Sequence, residues 1–147
     1  MNKTAVKEAL FNSQEKIIAE LQDQVDTVHT MVDIDEEMTH DPEDYSHQYE
    51  SNEMEHLVKV QLNRAKGGLQ QLKGIDFNPK NTVTSGAVVI TNKMKFFIGF
   101  ATVPFDVNGD HIVGISLNSP IYPIMAGKKS GETFSFSGVD YTIDSIY

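Results

Sequence analysis

Ten carboxylates lie between residues 33 and 55 of the chain, and no Lys or Arg lies among them. They are Asp33, Asp35, Glu36, Glu37, Asp41, Glu43, Asp44, Glu50, Glu53 and Glu55. Like charges at this density repel one another, so they cost stability unless they are solvated, neutralised or used. Carboxylate oxygens are also the ligands that hard cations such as Mg²⁺ prefer. The segment is therefore a candidate to bind a metal ion or a basic partner, and a solubilising acidic face is the alternative.

Helix capping accounts for only part of this acidic segment. Asp41 or Asp44 can cap a helix that begins beside them, and acids in a first helical turn are favoured by the helix dipole. Five histidines are the other candidate ligands. His40, His47 and His56 lie in or beside the segment, but their spacing matches no compact metal motif, so we expect them to face solvent. His29 and His111 are expected to be isolated surface residues.

The charge of the chain is uneven along its 147 residues, which carry a net charge of -9. Residues 1–74 contain fifteen acids and seven bases, whereas residues 75–147 contain six acids and five bases. Direct sequence-specific nucleic-acid binding is not expected, because phosphate contacts need clustered Lys and Arg. The absence of Cys excludes disulfides and thiolate metal sites. No apolar run is long enough for a membrane span or a signal-peptide core, so a cytoplasmic location is expected.

Apolar residues in the first half recur at helical spacing. The first run has a stripe of Leu10, Ile17, Leu21, Val28 and Met31, with Gln14 and Gln24 in the same seam and Ile18, Val25 and Val32 beside it. The second run has Met54, Val58, Leu62, Ala65, Leu69 and Leu72. Such narrow seams are typical of coiled coils. Neither helix can bury its seam alone, so we predict an antiparallel helical hairpin with the acidic segment at its tip.

After residue 75 the apolar period changes to two, which indicates β-strands. The runs "TVTSGAVVITN" and "KMKFFIGFA" are joined at Asn92–Lys93, and "VNGD" predicts a hairpin turn before the strand "HIVGISL". A last hairpin, "ETFSFSGVDYTIDSIY", turns at Gly138.

One short helix is predicted among these strands. Ser119 is the expected N-cap and Pro120 the first helical residue, with Ile121, Ile124 and Met125 as the apolar face and Gly127 as the end. The predicted fold class is α+β, with an N-terminal antiparallel coiled-coil hairpin followed by a small, mostly antiparallel β domain with one short helix. We expect the first domain to span residues 1–76 and the second to span residues 77–147.

The second domain carries a family resemblance in "GISLNSPIYPIMAGKKSGETFSFSGVDYTIDSIY". It resembles the C-terminal domain of the Gre transcription elongation factor family (GreA/GreB type), whose fold is similar to that of FK506-binding proteins. The matching positions are Ile115, Ser116, Ser119, Pro120, Ile121, Ala126, Gly127, Lys128, Gly131, Glu132, Tyr141, Thr142 and Ile143. The resemblance covers residues 82–147. An FK506-binding-protein-like fold could use aromatic residues to line a prolyl-isomerase pocket, but we expect core packing of Phe96, Phe97, Phe100, Phe134, Phe136 and Tyr141.

The resemblance also implies a role for the acidic tip. In the family, the coiled coil enters the secondary channel of bacterial RNA polymerase and carries two acids in the pattern D-x-x-E. Asp41 and Asp44 have that spacing in "DPED", with Asp in place of Glu. The resemblance implies that both are donated to the polymerase active site as catalytic residues that hold Mg²⁺ jointly with the polymerase. The chain would then promote cleavage of backtracked RNA, without being an enzyme alone and without a cofactor of its own.

The implied partner is RNA polymerase, with the nascent RNA 3′ end contacted only indirectly. By their region in the family, Tyr122, Lys128 and Lys129 are expected to contact the polymerase. The additional acids of "DIDEE", residues 33–37, leave an alternative open. With them, the chain could be a Gre-like channel-binding inhibitor or an adaptor, including one of the regulator of nucleoside diphosphate kinase type, without stimulating cleavage.

Overall fold

The computed structural model describes the backbone of residues 2–38 and 42–147, and the side chains of those residues except 30–38, 42–49 and 51. Two long helices come first, α1 (Lys3–Met38) and α2 (Pro42–Lys73). The elements that follow are β1 (Val88–Thr91), β2 (Lys95–Ile98), β3 (Phe105–Val107), β4 (Asp110–Ile115), α3 (Tyr122–Met125), β5 (Thr133–Phe136) and β6 (Val139–Ile146). Within the described residues, no helix combines the length and the hydropathy that crossing a membrane requires.

The chain divides into two compact units. Met1–Phe11 together with Gln71–Tyr147 form the β unit, and Asn12–Gln70 form the helical unit. The β unit thus takes up the first turns of α1 and the last residues of α2. The domain limits expected from the sequence, 1–76 and 77–147, stay a prediction.

The six strands of the β unit form one sheet in the order β3-β4-β2-β1-β6-β5. Only the pair of β2 and β4 is parallel; the other four neighbouring pairs are antiparallel. The turn between β3 and β4 has φ of 50° at Asn108 and 87° at Gly109, and positive φ at both central residues is the preference of tight hairpins. Ser137 and Gly138 turn the last hairpin in the same way, with φ of 54° and 76°. The three predicted turns are therefore confirmed, since β1 and β2 also pair across residues 92–93.

Both faces of this sheet are buried, because successive residues of a strand point to opposite faces. Val89 and Phe96 belong to the cluster on one face, together with Met125 of α3. Val88 and Phe97 belong to the cluster on the other face, which the ends of the long helices cover through Val6, Leu10 and Leu72. The predicted core packing of the aromatic residues is confirmed, since Phe96, Phe97, Phe134 and Tyr141 are all buried and Phe100 and Phe136 pack against the clusters.

The short helix α3 begins later than the sequence predicted. Its N-cap is Ile121, without a side-chain cap, and Pro123 rather than Pro120 lies in its first turn. The prediction of Ser119 as N-cap was wrong because the preceding residues form a backbone turn, in which the Ser119 carbonyl accepts the N–H of Tyr122 at 3.1 Å. Ile124, predicted on the apolar face, is exposed. Gly127 follows the helix with a φ of 76°, as expected for the residue that ends it.

In the helical unit α1 and α2 lie side by side and run antiparallel. Gln14 Nε2 donates to the carbonyl of Ala65 at 2.8 Å, and His29 Nδ1 lies 3.0 Å from Glu55 Oε1. Residue numbers therefore rise along α1 as those of the partners fall along α2. The predicted helical hairpin and the α+β class are confirmed.

The seam between these helices differs from the predicted one. Met54 is 56% exposed and Ile17 is 41% exposed, although both were predicted to be buried in it. Among the described side chains of α2, the buried positions are Glu55, Val58, Leu62, Ala65 and Leu72. Their spacing of three, four, three and seven is that of a heptad seam, so a carboxylate takes the position expected for Met54.

Lys3 connects three segments of the β unit at the start of α1. Its ammonium donates hydrogen bonds to the carbonyls of Asn78 at 3.3 Å, of Tyr147 at 3.1 Å and of Gly86. Burial and the neighbouring charge of Lys80 lower the pKa of Lys3 to about 8. This contact joins residues that are more than seventy positions apart in the chain.

Candidate functional site

The acidic segment spans the passage from α1 to α2. Met38 is the last residue of α1 and Pro42 is the first of α2. Pro at a first helical position is favoured because its ring fixes φ and its missing N–H has no helical partner to lose. Asp41 lies outside the described residues, and Asp44 lies in the first turn of α2, with a side chain that is not among those described. The predicted roles of Asp41 and Asp44, as catalytic residues and as ligands of Mg²⁺, stay predictions.

Three of the ten carboxylates have described side chains, and they differ in their surroundings. Glu50 and Glu53 are exposed. Glu55 is buried, and its Oε1 accepts hydrogen bonds from Lys59 Nζ at 2.8 Å and His29 Nδ1 at 3.0 Å. These two contacts, that of Lys59 first, hold the pKa of Glu55 below its ordinary value. Glu55 thus takes part in the packing between α1 and α2 and is not available as an exposed acid of the segment.

This role of Glu55 was not predicted from the sequence, and His29 was predicted to be an isolated surface residue. His29 does lie near the surface, with 59% of its side chain exposed, but it pairs with Glu55. A heptad count backwards from Leu72 through Leu62 and Val58 would have placed Glu55 in the seam. His111 is likewise exposed but not isolated, since its Nδ1 lies 2.7 Å from Asp106 Oδ1.

Among the described side chains, no group of three or more His, Asp or Glu residues is arranged to hold a metal ion. His56 is exposed. His40 and His47 lie where the structure describes no side chain, as do Asp41 and Asp44. Carboxylate oxygens are ligands that Mg²⁺ prefers, so by their chemistry Asp41 and Asp44 fit the metal that the resemblance implies.

The three residues expected to contact polymerase lie in and just after α3. Tyr122 is the first residue of α3 and packs against the core cluster on that face of the sheet. The carbonyl of Lys128 accepts the N–H of Val83 at 2.9 Å, and Lys129 forms an isolated bridge with Thr82. Lys129 is exposed and Lys128 is half-buried. The backbone of this segment is thus fixed to the sheet, while the side chain of Lys129 is free to meet solvent or a partner.

A second polar region of the β unit lies beside the turn of β1 and β2. It is a groove of about 430 Å³ lined in part by Lys93, Lys95 and His111. Lys95 pairs with Asp110, and His111 pairs with Asp106. Lys95 and His111 each face a carboxylate, so these contacts reduce the positive charge that the groove offers to a ligand.

No protein-family model matches the chain, and no curated protein matches it. Among solved structures, the chain is similar to the transcription factor Gfh1, with 12% identity over 95% of this chain and 94% of that chain and a TM-score of 0.38. It is also similar to GreA factor homolog 1 of Thermus thermophilus, with 11% identity over 93% of this chain and 94% of that chain and a TM-score of 0.37. Likeness at this level is too low to bear on what this chain does.

Proposed function

We propose that the chain is a Gre-like transcription factor that acts on bacterial RNA polymerase in the cytoplasm. The antiparallel pairing of α1 with α2 carries this proposal, because it places the acid-dense residues 33–55 where one helix passes into the other. The sequence resemblance of residues 115–143 to the C-terminal domain of the Gre family supports it independently of the hairpin. In this role the hairpin enters the secondary channel of the polymerase.

The acids at the end of α1 are not explained by helix stability. Asp35, Glu36 and Glu37 lie in the last turns of α1, and no basic residue lies in the last turn. Negative charge at a helix C-terminus is unfavourable, because the carbonyl groups there already carry partial negative charge. A use outside the isolated hairpin, such as binding a cation or a basic surface of the polymerase, would repay this cost.

Asp41 and Asp44 are the residues proposed to act at the polymerase active site. Their carboxylates would provide oxygen ligands for Mg²⁺ that the polymerase holds jointly. In a two-metal site, bound Mg²⁺ stabilises both the attacking and the leaving oxygen of the displacement. The polymerase supplies the remaining ligands and the RNA, so the chain alone is proposed to have no catalytic activity.

A second candidate function is inhibition of the polymerase through the same channel. The surplus of acids at residues 33–37 favours it, because extra carboxylates beside a catalytic cation can hold that cation in an unproductive position. The two candidates share the binding step and differ in the sign of the effect on transcript cleavage.

Binding to core RNA polymerase tests both candidates at once. We expect the full chain to co-elute with the core enzyme, and Lys129→Glu to weaken the complex. Lys93→Glu is the matched control, because Lys93 is also exposed but lies in the turn between β1 and β2. Failure of the chain to bind at micromolar concentration would reject both candidates, and equal weakening by the two substitutions would reject the assignment of Lys129.

A further inference from the structure

The helical unit has an open apolar groove on one side of its seam. The groove has a volume of about 340 Å³ and is lined by Asp23, Gln24, Thr27, Val28, Met54 and Val58. Val28 and Val58 are buried seam residues, whereas Met54 is 56% exposed and Leu57, one turn further along α2, is 61% exposed. Apolar side chains therefore extend from the seam out to solvent on this side of the hairpin.

The apolar surface continues along α1 beyond the groove. Ile17 lies seven residues before Gln24, so the two share one face of the helix. Ile17 is 41% exposed. Single exposed apolar residues are ordinary on a protein surface, but here helical spacing puts three of them on the side of the hairpin that carries the groove.

The rim of this groove is acidic. Asp23 belongs to its lining, and the lining contains no Lys or Arg. Glu20 lies one turn before Asp23 on α1, and Glu50 lies one turn before Met54 on α2, so helical spacing puts both on this side. Both are exposed. A ligand that buries Met54 therefore places its apolar groups in the groove and its flanking groups beside acidic side chains.

This charge decides between the possible occupants. A second copy of the chain would set acids against acids, because residues 1–74 carry fifteen acids and seven bases. An anionic membrane surface or a nucleic acid would be repelled for the same reason. A peptide segment with apolar side chains on one face and Lys or Arg beside them complements both the floor and the rim.

We propose that this groove is a docking site for a basic amphipathic helix of a partner protein. Val28, Met54 and Val58 form the apolar floor, and Asp23 with Glu20 and Glu50 attracts the basic flanks. Leu57 and Ile17 extend the contact to either side. The proposal does not depend on Asp41 and Asp44 or on the proposed action on polymerase.

A synthetic peptide tests this proposal with the full chain. The probe is a fluorescein-labelled helix of about 18 residues, five turns, with Leu on one face and Lys on the other. Its controls are a scrambled peptide of the same composition and a peptide with Glu in place of Lys. We expect fluorescence anisotropy to show binding of the probe at least about tenfold tighter than that of either control, and tighter at low salt than at high salt.

Substitutions locate the binding surface. Met54→Ser should weaken binding of the probe at least about tenfold, and Thr27→Arg should weaken it through charge repulsion. Val103→Ser is the matched control, since Val103 is 76% exposed in the β unit, and it should change nothing. Far-ultraviolet circular dichroism checks that each variant is folded, and Met54→Gln provides a second, more conservative loss of the apolar side chain.

Three results would overturn the proposal. Equal binding of the scrambled peptide would mean that bulk charge alone attracts the probe. Unchanged binding by both Met54 variants would place the site elsewhere. Self-association of the chain in sedimentation, abolished by Met54→Ser, would make a second copy the occupant. None of these results bears on transcript cleavage, which tests the proposed function separately.

Discussion

Glu55 of α2 and His29 of α1 meet across the helical hairpin, with Oε1 and Nδ1 3.0 Å apart. The carboxylate occupies a position of the apolar seam, and Lys59 binds the same oxygen at 2.8 Å from the next turn of α2. Its two partners are more than half exposed, whereas only 12% of the Glu55 side chain is exposed. A carboxylate thus lies in the seam, while the side chains of its two partners are largely exposed to water.

Substitution of Glu55 should shift stability in a direction that depends on the new residue. Glu55→Gln should lower the melting temperature, because a neutral amide oxygen accepts from Lys59 and His29 less strongly than the carboxylate does. Glu55→Leu should match or exceed the wild type, because Leu suits a heptad seam and the two basic partners can be solvated. Thermal unfolding near neutral pH measures both; a loss in Glu55→Leu as large as that in Glu55→Gln would contradict the seam assignment.

The contribution of Glu55 should also depend on pH. Its folded-state pKa lies below its ordinary value, so the stability it adds is present above the ordinary pKa and is lost as pH falls through the lowered one. The difference in unfolding free energy between the wild type and Glu55→Gln should therefore shrink as the pH falls into the acid range. Urea unfolding at a series of pH values checks this, and a difference that grows as pH falls would have the wrong sign.

Gly67→Ala should stabilise the chain. Gly67 lies inside α2, and a Cβ added there would have no atom within 4 Å. Alanine loses less conformational freedom than glycine on folding, so we expect a gain of up to about 1 kcal/mol in unfolding free energy. The contrasting control is Gly114→Ala in β4, where the added Cβ would lie 2.3 Å from the carbonyl oxygen of Phe100 and should destabilise. Urea unfolding measures both, and the same sign for the two variants would contradict this account.

Lys3 should titrate well below the ordinary pKa of a lysine. Burial and Lys80 lower its pKa from 10.5 to about 8, although its three carbonyl acceptors suit the protonated amine. An NMR titration that follows the lysine Nζ resonances should show one group with a midpoint near 8. Absence of this resonance from the spectrum of Lys3→Gln would assign it to Lys3. Titration of every lysine above pH 10 would contradict the lowered pKa of Lys3.

The lowered pKa of Lys3 also determines whether the unfolding free energy rises or falls with pH in alkaline solution. Between the folded pKa of about 8 and the unfolded value of 10.5, the unfolded chain keeps a proton that the folded chain has released. The unfolding free energy contributed by Lys3 should therefore rise with pH across this window. Relative to Lys3→Gln, the wild type should gain stability on going from pH 8 towards pH 10. A loss of stability of the wild type relative to Lys3→Gln over that pH interval would contradict the lowered pKa of Lys3.

The sequence predicts the elements of this fold better than the faces they bury. Met54 and Glu55 stand four and three residues before Val58, and both spacings fit a helical seam. Composition favours Met54, but the partner His29 on the other helix and Lys59 on the same one make Glu55 the buried residue. A strict heptad count from Leu72 selects Glu55, but its contact with His29, twenty-six positions away in the chain, has no local signal in the sequence.

In the β unit, two further features could not be predicted from the local sequence. Ser119 and Pro120 resemble a helix start, yet Pro123 serves equally well and a backbone turn precedes it. The three acceptors of Lys3 come from distant parts of the chain, so no local pattern marks that lysine. Turns, by contrast, were predicted correctly, because Asn108-Gly109 and Gly138 supply the positive φ that a tight hairpin requires. The acidic pair of Asp41 and Asp44 still depends on sequence resemblance.

Transcript cleavage in backtracked complexes of bacterial RNA polymerase tests the central claim most directly. The chain should accelerate shortening of the RNA, and Asp41→Asn with Asp44→Asn should reduce that acceleration about tenfold or more while the variant still binds the polymerase. Glu50→Gln with Glu53→Gln removes the same charge from exposed acids of the segment and should leave the acceleration intact. Acceleration that survives the Asp41 and Asp44 substitutions would contradict their assignment, and slowing by the wild-type chain would contradict the cleavage role itself.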